Sequence, residues 1–358
     1  MQMINHVKYA RYAAKEINTI NEIQIPLTML SIHWIWLFAI THSLLIAEPK
    51  SAPHAYKPVT VILDTDMDSD VDDVGALAML HAYERQGKVK ILGVIVTSDE
   101  ENSAACTDAI NTWFNRGNIP IGASQRDSLK SFSKYTSAIA QNYPHKITNR
   151  IADHATSLYR RLLASQPDQS VVIITIGHLT SLSQLLQSSA DSISPLSGQE
   201  LVRKKVMRWS CMGGQFPEGK EANFYRPDPA STHYCLQNWK LPVTFAGWEL
   251  GNLIVTGERQ FMEKCPPDSP IYRAYEKYNG FRGRASWDQV AVLEAVEGAE
   301  PYFELEKTGF CVVAEDGSNQ WVPSASDLQH SYLKMKAPAL QIQSRINALM
   351  TGNDSQSR

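Results

Sequence analysis

Cysteine is scarce and scattered: Cys106, Cys211, Cys235, Cys265 and Cys311 stand alone in 358 residues, with no CxxC pair. That excludes a disulfide scaffold and a zinc ribbon. A basic excess is also missing, since 34 Lys and Arg face 37 Asp and Glu for a formal net charge of −3. Without basic charge to neutralise a phosphate backbone, nucleic acid is not an expected partner. Internal repeats and low-complexity tracts are absent from the sequence. Long hydrophobic runs are lacking with one exception. Residues 27–47 contain no charged side chain and lie downstream of Lys8, Arg11 and Lys15. This pattern suits a signal peptide or an N-terminal anchor. His33, His42 and several Ser and Thr weaken it as a permanent span, so export with cleavage near Ala47–Ala52 is expected, the alternatives being an uncleaved anchor and a start at Met29. An odd cysteine count in an exported chain leaves at least one thiol free or paired between chains.

Segment 1–52 is thus set apart from the remainder of the chain. With 43% hydrophobic and 20% charged residues, the chain can bury a sizeable core. The β-branched run over 59–63 reads as a buried parallel strand. Val74, Leu77, Ala78 and His81 come next at helical spacing. Strand patterns recur over 89–97, 119–122, 171–176, 205–212 and 243–246, with helical patterns over 104–114, 151–163 and 179–186. Such alternation predicts an α/β fold: one domain over 57–350, with a mostly parallel central sheet flanked by helices. Ligands of these sheets bind beyond the carboxyl ends of the strands. Leu340, Ile342, Ile346 and Leu349 suit a C-terminal helix packed on the domain, and 351–358 reads as a frayed, flexible polar tail.

Directly after the first strand comes Asp64-Thr-Asp66-Met-Asp68-Ser-Asp70-Val-Asp72-Asp73, six carboxylates in a short loop. Like charges at this density repel unless a cation lies among them or some stay protonated. Oxygen ligands of this kind suit Ca²⁺ or Mg²⁺ rather than zinc. Helix capping by Asp70 and dipole pairing of Asp72 and Asp73 would explain only part of the set. An EF-hand is excluded, because Ser69 and Gly75 occupy the positions that need Gly and Glu. The DxDx(T/V) loop of haloacid-dehalogenase-like phosphotransferases shares Asp64-Thr-Asp66-Met, but Asp68 stands in its Thr/Val place.

The loop resembles the N-terminal signature of the inosine-uridine-preferring nucleoside hydrolases in its D-T-D-M-G-x-D-x-D-D form, with Asp68 replacing the glycine. Ile174-Thr-Ile-Gly177-His-Leu-Thr-Ser181, Met212-Gly-Gly214, Glu221-Ala-Asn223, Asp228-Pro-Ala230 and Ser286-Trp287-Asp288 resemble later segments of that family, in the same order. The resemblance spans roughly residues 57 to 350. It implies a Rossmann-like nucleoside hydrolase fold and hydrolysis of the N-glycosidic bond of ribonucleosides, with Ca²⁺ as cofactor. It also implies a small-molecule nucleoside substrate, no partner protein, and a homo-oligomer as the common assembly.

Residue by residue, the resemblance makes Asp66 the base and a metal ligand, with Asp73, Asp288 and the Ile176 carbonyl as further ligands. A bound water would be acidified and oriented by Ca²⁺ and would pass its proton to Asp66. Asp70 or Asp72 would meet the ribose 2′-hydroxyl, a role also open to Asp99. Met212, Glu221 and Asn223 would line the sugar site, with Glu221 and Asn223 clamping the 5′- and 3′-hydroxyls, and Asp288 would hold a ribose hydroxyl. Asp64 would support the loop from behind. Trp287 replaces the histidine that many relatives use to protonate the leaving base. An indole cannot do that at neutral pH, but it can stack on a purine, so a lean towards purine nucleosides is expected. His145 and Glu249 are read as incidental and structural. Two rivals stand beside this reading: a phosphohydrolase using Asp64 as nucleophile, and a non-catalytic calcium-containing binder of nucleosides or sugars.

Overall fold

Valine, isoleucine and threonine dominate segments 59–65, 89–96 and 171–175, which lie side by side as strands at the centre of one sheet. The computed structural model describes residues 57–124, 131–300 and 302–352. The apolar run expected to direct export or anchoring lies outside them. Among the described residues, nine strands form the main sheet: β1 (Val59–Thr65), β2 (Val89–Val96), β3 (Ile121–Ala123), β4 (Asp153–His154), β5 (Val171–Thr175), β6 (Val206–Met212), β7 (Val243–Ala246), β8 (Phe303–Glu306) and β9 (His330–Met335). Their order is β8-β9-β7-β6-β5-β1-β2-β3-β4. Every neighbouring pair is parallel except β8 with β9. Alternate side chains feed two cores, with Val61, Leu63, Val172 and Ile174 on one face and Ile62, Val171 and Ile173 on the other. Both faces being buried, the strands show continuous apolar runs, as parallel sheets require.

The winding sets the site. From β1 the chain moves outward through β2, β3 and β4, then returns to begin again on the other side of β1 with β5. The reversal opens a crevice beyond the carboxyl ends of β1 and β5. The acidic loop leaves β1 there, and Ile176 and Gly177 leave β5 there.

Three helices complete this end. Helix α1 (Asp72–Arg85) packs against α2 (Trp287–Glu297) and α3 (Ala339–Met350). Helix α1 is buried from Asp72 through Tyr83, which accounts for its apolar character all round. Its approach to α2 is close: a Cβ on Gly75 would lie 2.5 Å from Gln289 Nε2 and 2.7 Å from the Tyr275 hydroxyl. Between Asp288 and Glu297, the polar residues of α2 have partners, Gln289 at Tyr275 and Glu294 at Arg208 and Ser210. In α3, Ile342, Ile346 and Leu349 are buried, but Leu340 is 66% exposed, contrary to its expected packing. Thr351, the first residue of the expected tail, is buried and bonds Asn347.

Other differences have local causes. The helix expected from Ile151 begins at Ala155, because Ile151 is exposed and 153–154 pair with β3 while His154 caps the helix. Strands β8 and β9 and two small sheets went unread, as did the late start of β3 at Ile121. All five cysteines are free and buried.

Glu294 accepts two hydrogen bonds from Arg208 Nη1, both at 2.9 Å, and one from Ser210 at 2.7 Å. Removing this buried carboxylate takes the ion-pair partner from a half-buried guanidinium and the acceptor from Ser210. Glu294→Ala should lower unfolding free energy by about 3 kcal/mol in urea melts. A loss below about 1 kcal/mol would show that water replaces the pair freely.

Candidate active site

The loop after β1 turns sharply at Met67, whose φ is 46°. This is the strained residue; Asp68, which replaces the family glycine, is not left-handed. Met67 is held by Ser103 Oγ, which donates to its carbonyl at 3.0 Å, and by the Tyr135 hydroxyl 3.7 Å from its sulfur. Asp73 fastens the turn from inside, accepting from the Thr65 hydroxyl and from Met67 N at 3.1 Å. The turn carries Asp66 into the crevice, where Gly177 leaves room for it. A Cβ on Gly177 would lie 2.5 Å from Asp66 N.

A cavity of about 200 Å³ opens here, with Asp66, Asp70, Asp72, Ile176, Met212, Glu221, Asn223, Trp287 and Asp288 in its wall. Segments more than two hundred residues apart in sequence meet at this point. Asp288 N, in the first turn of α2, donates to Asp72 Oδ2 in the first turn of α1 at 3.3 Å. Asn223 Nδ2 donates to the Ile176 carbonyl at 3.2 Å and lies 3.2 Å from Met212 Sδ. Glu221 Oε1 accepts from Asn223 N at 2.8 Å and its Oε2 from Gly214 N at 3.0 Å.

Asp99 is not brought in. Its carboxylate accepts from Ser131 N at 3.0 Å and it borders a separate cavity, with His145, beyond β2 and β3. Asp64 is buried on the opposite face of the sheet end, where the Tyr159 hydroxyl donates to it at 2.7 Å. Its absence from the cavity wall leaves the phosphohydrolase reading without an accessible nucleophile. Glu249 accepts from Phe216 N, in keeping with a structural part.

Three wall residues escaped the sequence reading. Arg284 ion-pairs with Asp70 and lies over the Trp287 ring at 4.5 Å. Trp248 accepts the Trp287 indole hydrogen on its carbonyl at 2.9 Å. Arg226 stands beside Asn223 in the wall. Trp248 did carry a signal, an aromatic immediately past the carboxyl end of a parallel strand. Arg284 carried none.

Burial and mutual repulsion work against the ionised forms of the clustered carboxylates, which a proton or a cation can relieve. Burial, and then the charges of Asp68, Asp73, Asp70 and Asp72, push the Asp66 carboxyl well above the ordinary range. Burial followed by Asp70 drives Asp73 up to about 8. Asp72 and Asp288 are raised by burial and by their acidic neighbours. Burial raises Glu221 to about 7. Asp70, Asp72 and Asp73 can each place an oxygen within 4.8 Å of the others. Asp72 Oδ1 is buried with no hydrogen-bond partner. An orphaned carboxylate oxygen in an all-oxygen acidic cluster fits a hard divalent cation.

Comparison with known proteins agrees with this geometry. The sequence profile of the family described as inosine-uridine preferring nucleoside hydrolase matches residues 61–339. The chain belongs to that family, whose members are hydrolases acting on N-glycosyl bonds. Solved structures share the fold at low identity. A plant nucleoside hydrolase, PpNRh1, is 17% identical, with a TM-score of 0.60, and covers 82% of this chain and 99% of its own. The purine-preferring ribonucleoside hydrolase from Gardnerella vaginalis is 15% identical, with a TM-score of 0.61, covering 82% and 99%. The type III effector XopQ, solved with adenosine diphosphate ribose, is 14% identical, with a TM-score of 0.61, covering 82% and 94%. No curated protein sequence matches this chain.

Gly177→Ala should cut turnover at least ~100-fold while the protein stays folded, because a methyl group there displaces Asp66. Unchanged turnover would mean that the loop tolerates the shift. The raised carboxyls favour their protonated forms in the folded state, so without a cation their stabilisation is present below pH ~4 and is lost as pH climbs towards 8. Bound cation favours the ionised forms. The rise in melting temperature on adding Ca²⁺ should therefore grow from pH ~5 to pH ~8; a rise that shrinks with pH would contradict the cluster as its site.

Proposed function

We propose that this chain hydrolyses ribonucleosides, with a lean towards purines, using Ca²⁺ held by the acidic loop and Asp288, and that it acts after export. The observation that carries the reading is the meeting of Asp66, Asp72, Asp288, Glu221 and Asn223 in one cavity wall. The ligand set we propose is Asp66, Asp73, Asp288 and the Ile176 carbonyl, with Asp70 or Asp72 turned to the sugar. Bound there, the cation would supply positive charge that acidifies and orients a water molecule.

The protein's own groups do the rest. Asp66 takes the water proton as the oxygen approaches the anomeric carbon. The surrounding carboxylates stabilise positive charge developing on the ribose ring. Asn223 and Glu221, fixed by their bonds to Ile176, Met212 and Gly214, orient the sugar hydroxyls. Trp248 and Trp287 in the same wall offer flat apolar surface suited to a purine.

The test is release of reducing sugar from inosine, adenosine, guanosine and uridine with Ca²⁺, beside phosphate release from a phosphate ester. Ribose should appear, purines reacting faster. Asp66→Asn should reduce the rate by about 10²–10⁴-fold, and Asp64→Asn by less. Phosphate release that depends on Asp64, or no ribose from any nucleoside, would overturn the proposal.

A further inference from the structure

Hydrolysis of a nucleoside leaves an electron pair on a departing base, and this cavity is poorly arranged to receive it. Its wall carries Asp66, Asp70, Asp72, Asp288 and Glu221, all of which repel a developing anion. Trp287, placed where a proton donor is expected, cannot donate its indole hydrogen to the base. That hydrogen is already bonded to the Trp248 carbonyl.

The cationic side chains in the wall are Arg226 and Arg284. Arg226 stands with Glu221 and Asn223, on the side proposed for the sugar. Arg284 projects from the short strand Arg282–Ala285 and is fixed on several sides. Its guanidinium carbon lies 4.5 Å from the Trp287 ring centroid and 5.7 Å from that of Tyr278. Its Nη2 is ion-paired with Asp70. Its Nε is buried and has no acceptor in the protein. A guanidinium stays charged at working pH and donates along several directions, so one ion pair does not exhaust it. Held in the cavity wall by the ion pair and two aromatic rings, it is a preorganised donor suited to electrostatic stabilisation of a transition state.

We infer that Arg284 is a catalytic residue that stabilises the negative charge developing on the leaving base, an inference that rests on the nucleosidase reading above. In the step, the water oxygen bonds to C1′ as the C1′–N bond breaks, leaving its electron pair on the base nitrogen. One water hydrogen passes to Asp66 and the other stays in the new ribose hydroxyl. Arg284 holds the base anion by hydrogen bonding without giving up a proton. The base is then protonated from solvent, and Asp66 returns its proton to solvent, so the sum is nucleoside plus water to ribose plus neutral base.

The inference is tested by changing the leaving group. A 4-nitrophenyl β-D-riboside departs as a stable anion and needs little help, whereas inosine needs much. Wild type, Arg284→Met and Arg284→Lys are assayed on both substrates with Ca²⁺. The loss of kcat in Arg284→Met should be at least about 30-fold greater on inosine than on the nitrophenyl riboside, within the range for one lost transition-state donor. Arg284→Lys should recover at least about tenfold of the inosine rate lost in Arg284→Met. Equal losses on both substrates would overturn the inference and make Arg284 a support for Asp70 and its loop. Lysine performing no better than methionine would overturn it too, as would wild type that cleaves the nitrophenyl riboside but not inosine. Wild type that cleaves neither substrate would remove the nucleosidase reading and the inference together.

Discussion

Carboxylates crowded into a water-poor cleft cannot all stay ionised on their own. Each loses hydration, and each meets the charge of the others at short range. Here Asp66, Asp72, Asp73 and Asp288 are all pushed towards protonation by burial and then by one another. Arg284 ion-pairs with Asp70 and its charge also favours ionised Asp72, yet Asp72 stays raised and keeps a buried oxygen without a partner. A divalent cation resolves the conflict with one charge centre, and the same ionised carboxylates can then serve chemistry. The site's fit to a cation and its fitness to hydrolyse a glycosidic bond therefore have one physical origin.

The fold delivers these groups by two devices. The first is the reversal of winding between β1 and β5, which opens a crevice where both strands end. The second is the packing of α1 on α2, which sets two helix N-termini side by side. Asp72, Asp73 and Asp288 all lie in first turns, where the helix dipole favours negative charge. Small residues permit the approach: Gly177 beneath Asp66, and Gly75 against Gln289 and Tyr275. The site is thus assembled by packing that extends beyond it, including the largely apolar body of helix α2, where Gln289 and Glu294 bond to Tyr275, Arg208 and Ser210.

Much of this was legible in the sequence, and the legible parts share a cause. Strands β1, β2 and β5 are β-branched runs buried on both faces, so their pattern has little competition, while β6 and β7 are more mixed patterns in the same βα rhythm. The acidic loop was visible because so many carboxylates behind a buried strand have few structural explanations. Asp288 was visible through the resemblance of Ser286-Trp287-Asp288 to a family segment, and the apolar helix that follows buries it. Strands β8 and β9 were missed because an antiparallel edge and its neighbour lie late in the chain, away from the βα rhythm. Leu340 misled because helical spacing does not say where a helix runs past the edge of the domain. Asp99 was carried over from a family position, and the turn after β2 directs it to Ser131 instead of the cavity. Arg284 could not be foreseen, since its place depends on a small sheet whose register joins 282–285 to 255–258.

The central claim is that acidic groups from both ends of the domain share one cation. Equilibrium dialysis of the purified protein against Ca²⁺, with Asp288→Asn alongside, tests it most directly. One ion retained per chain, with affinity at least about tenfold weaker in the variant, is the predicted result. No retained ion, or binding indifferent to Asp288, would contradict the account.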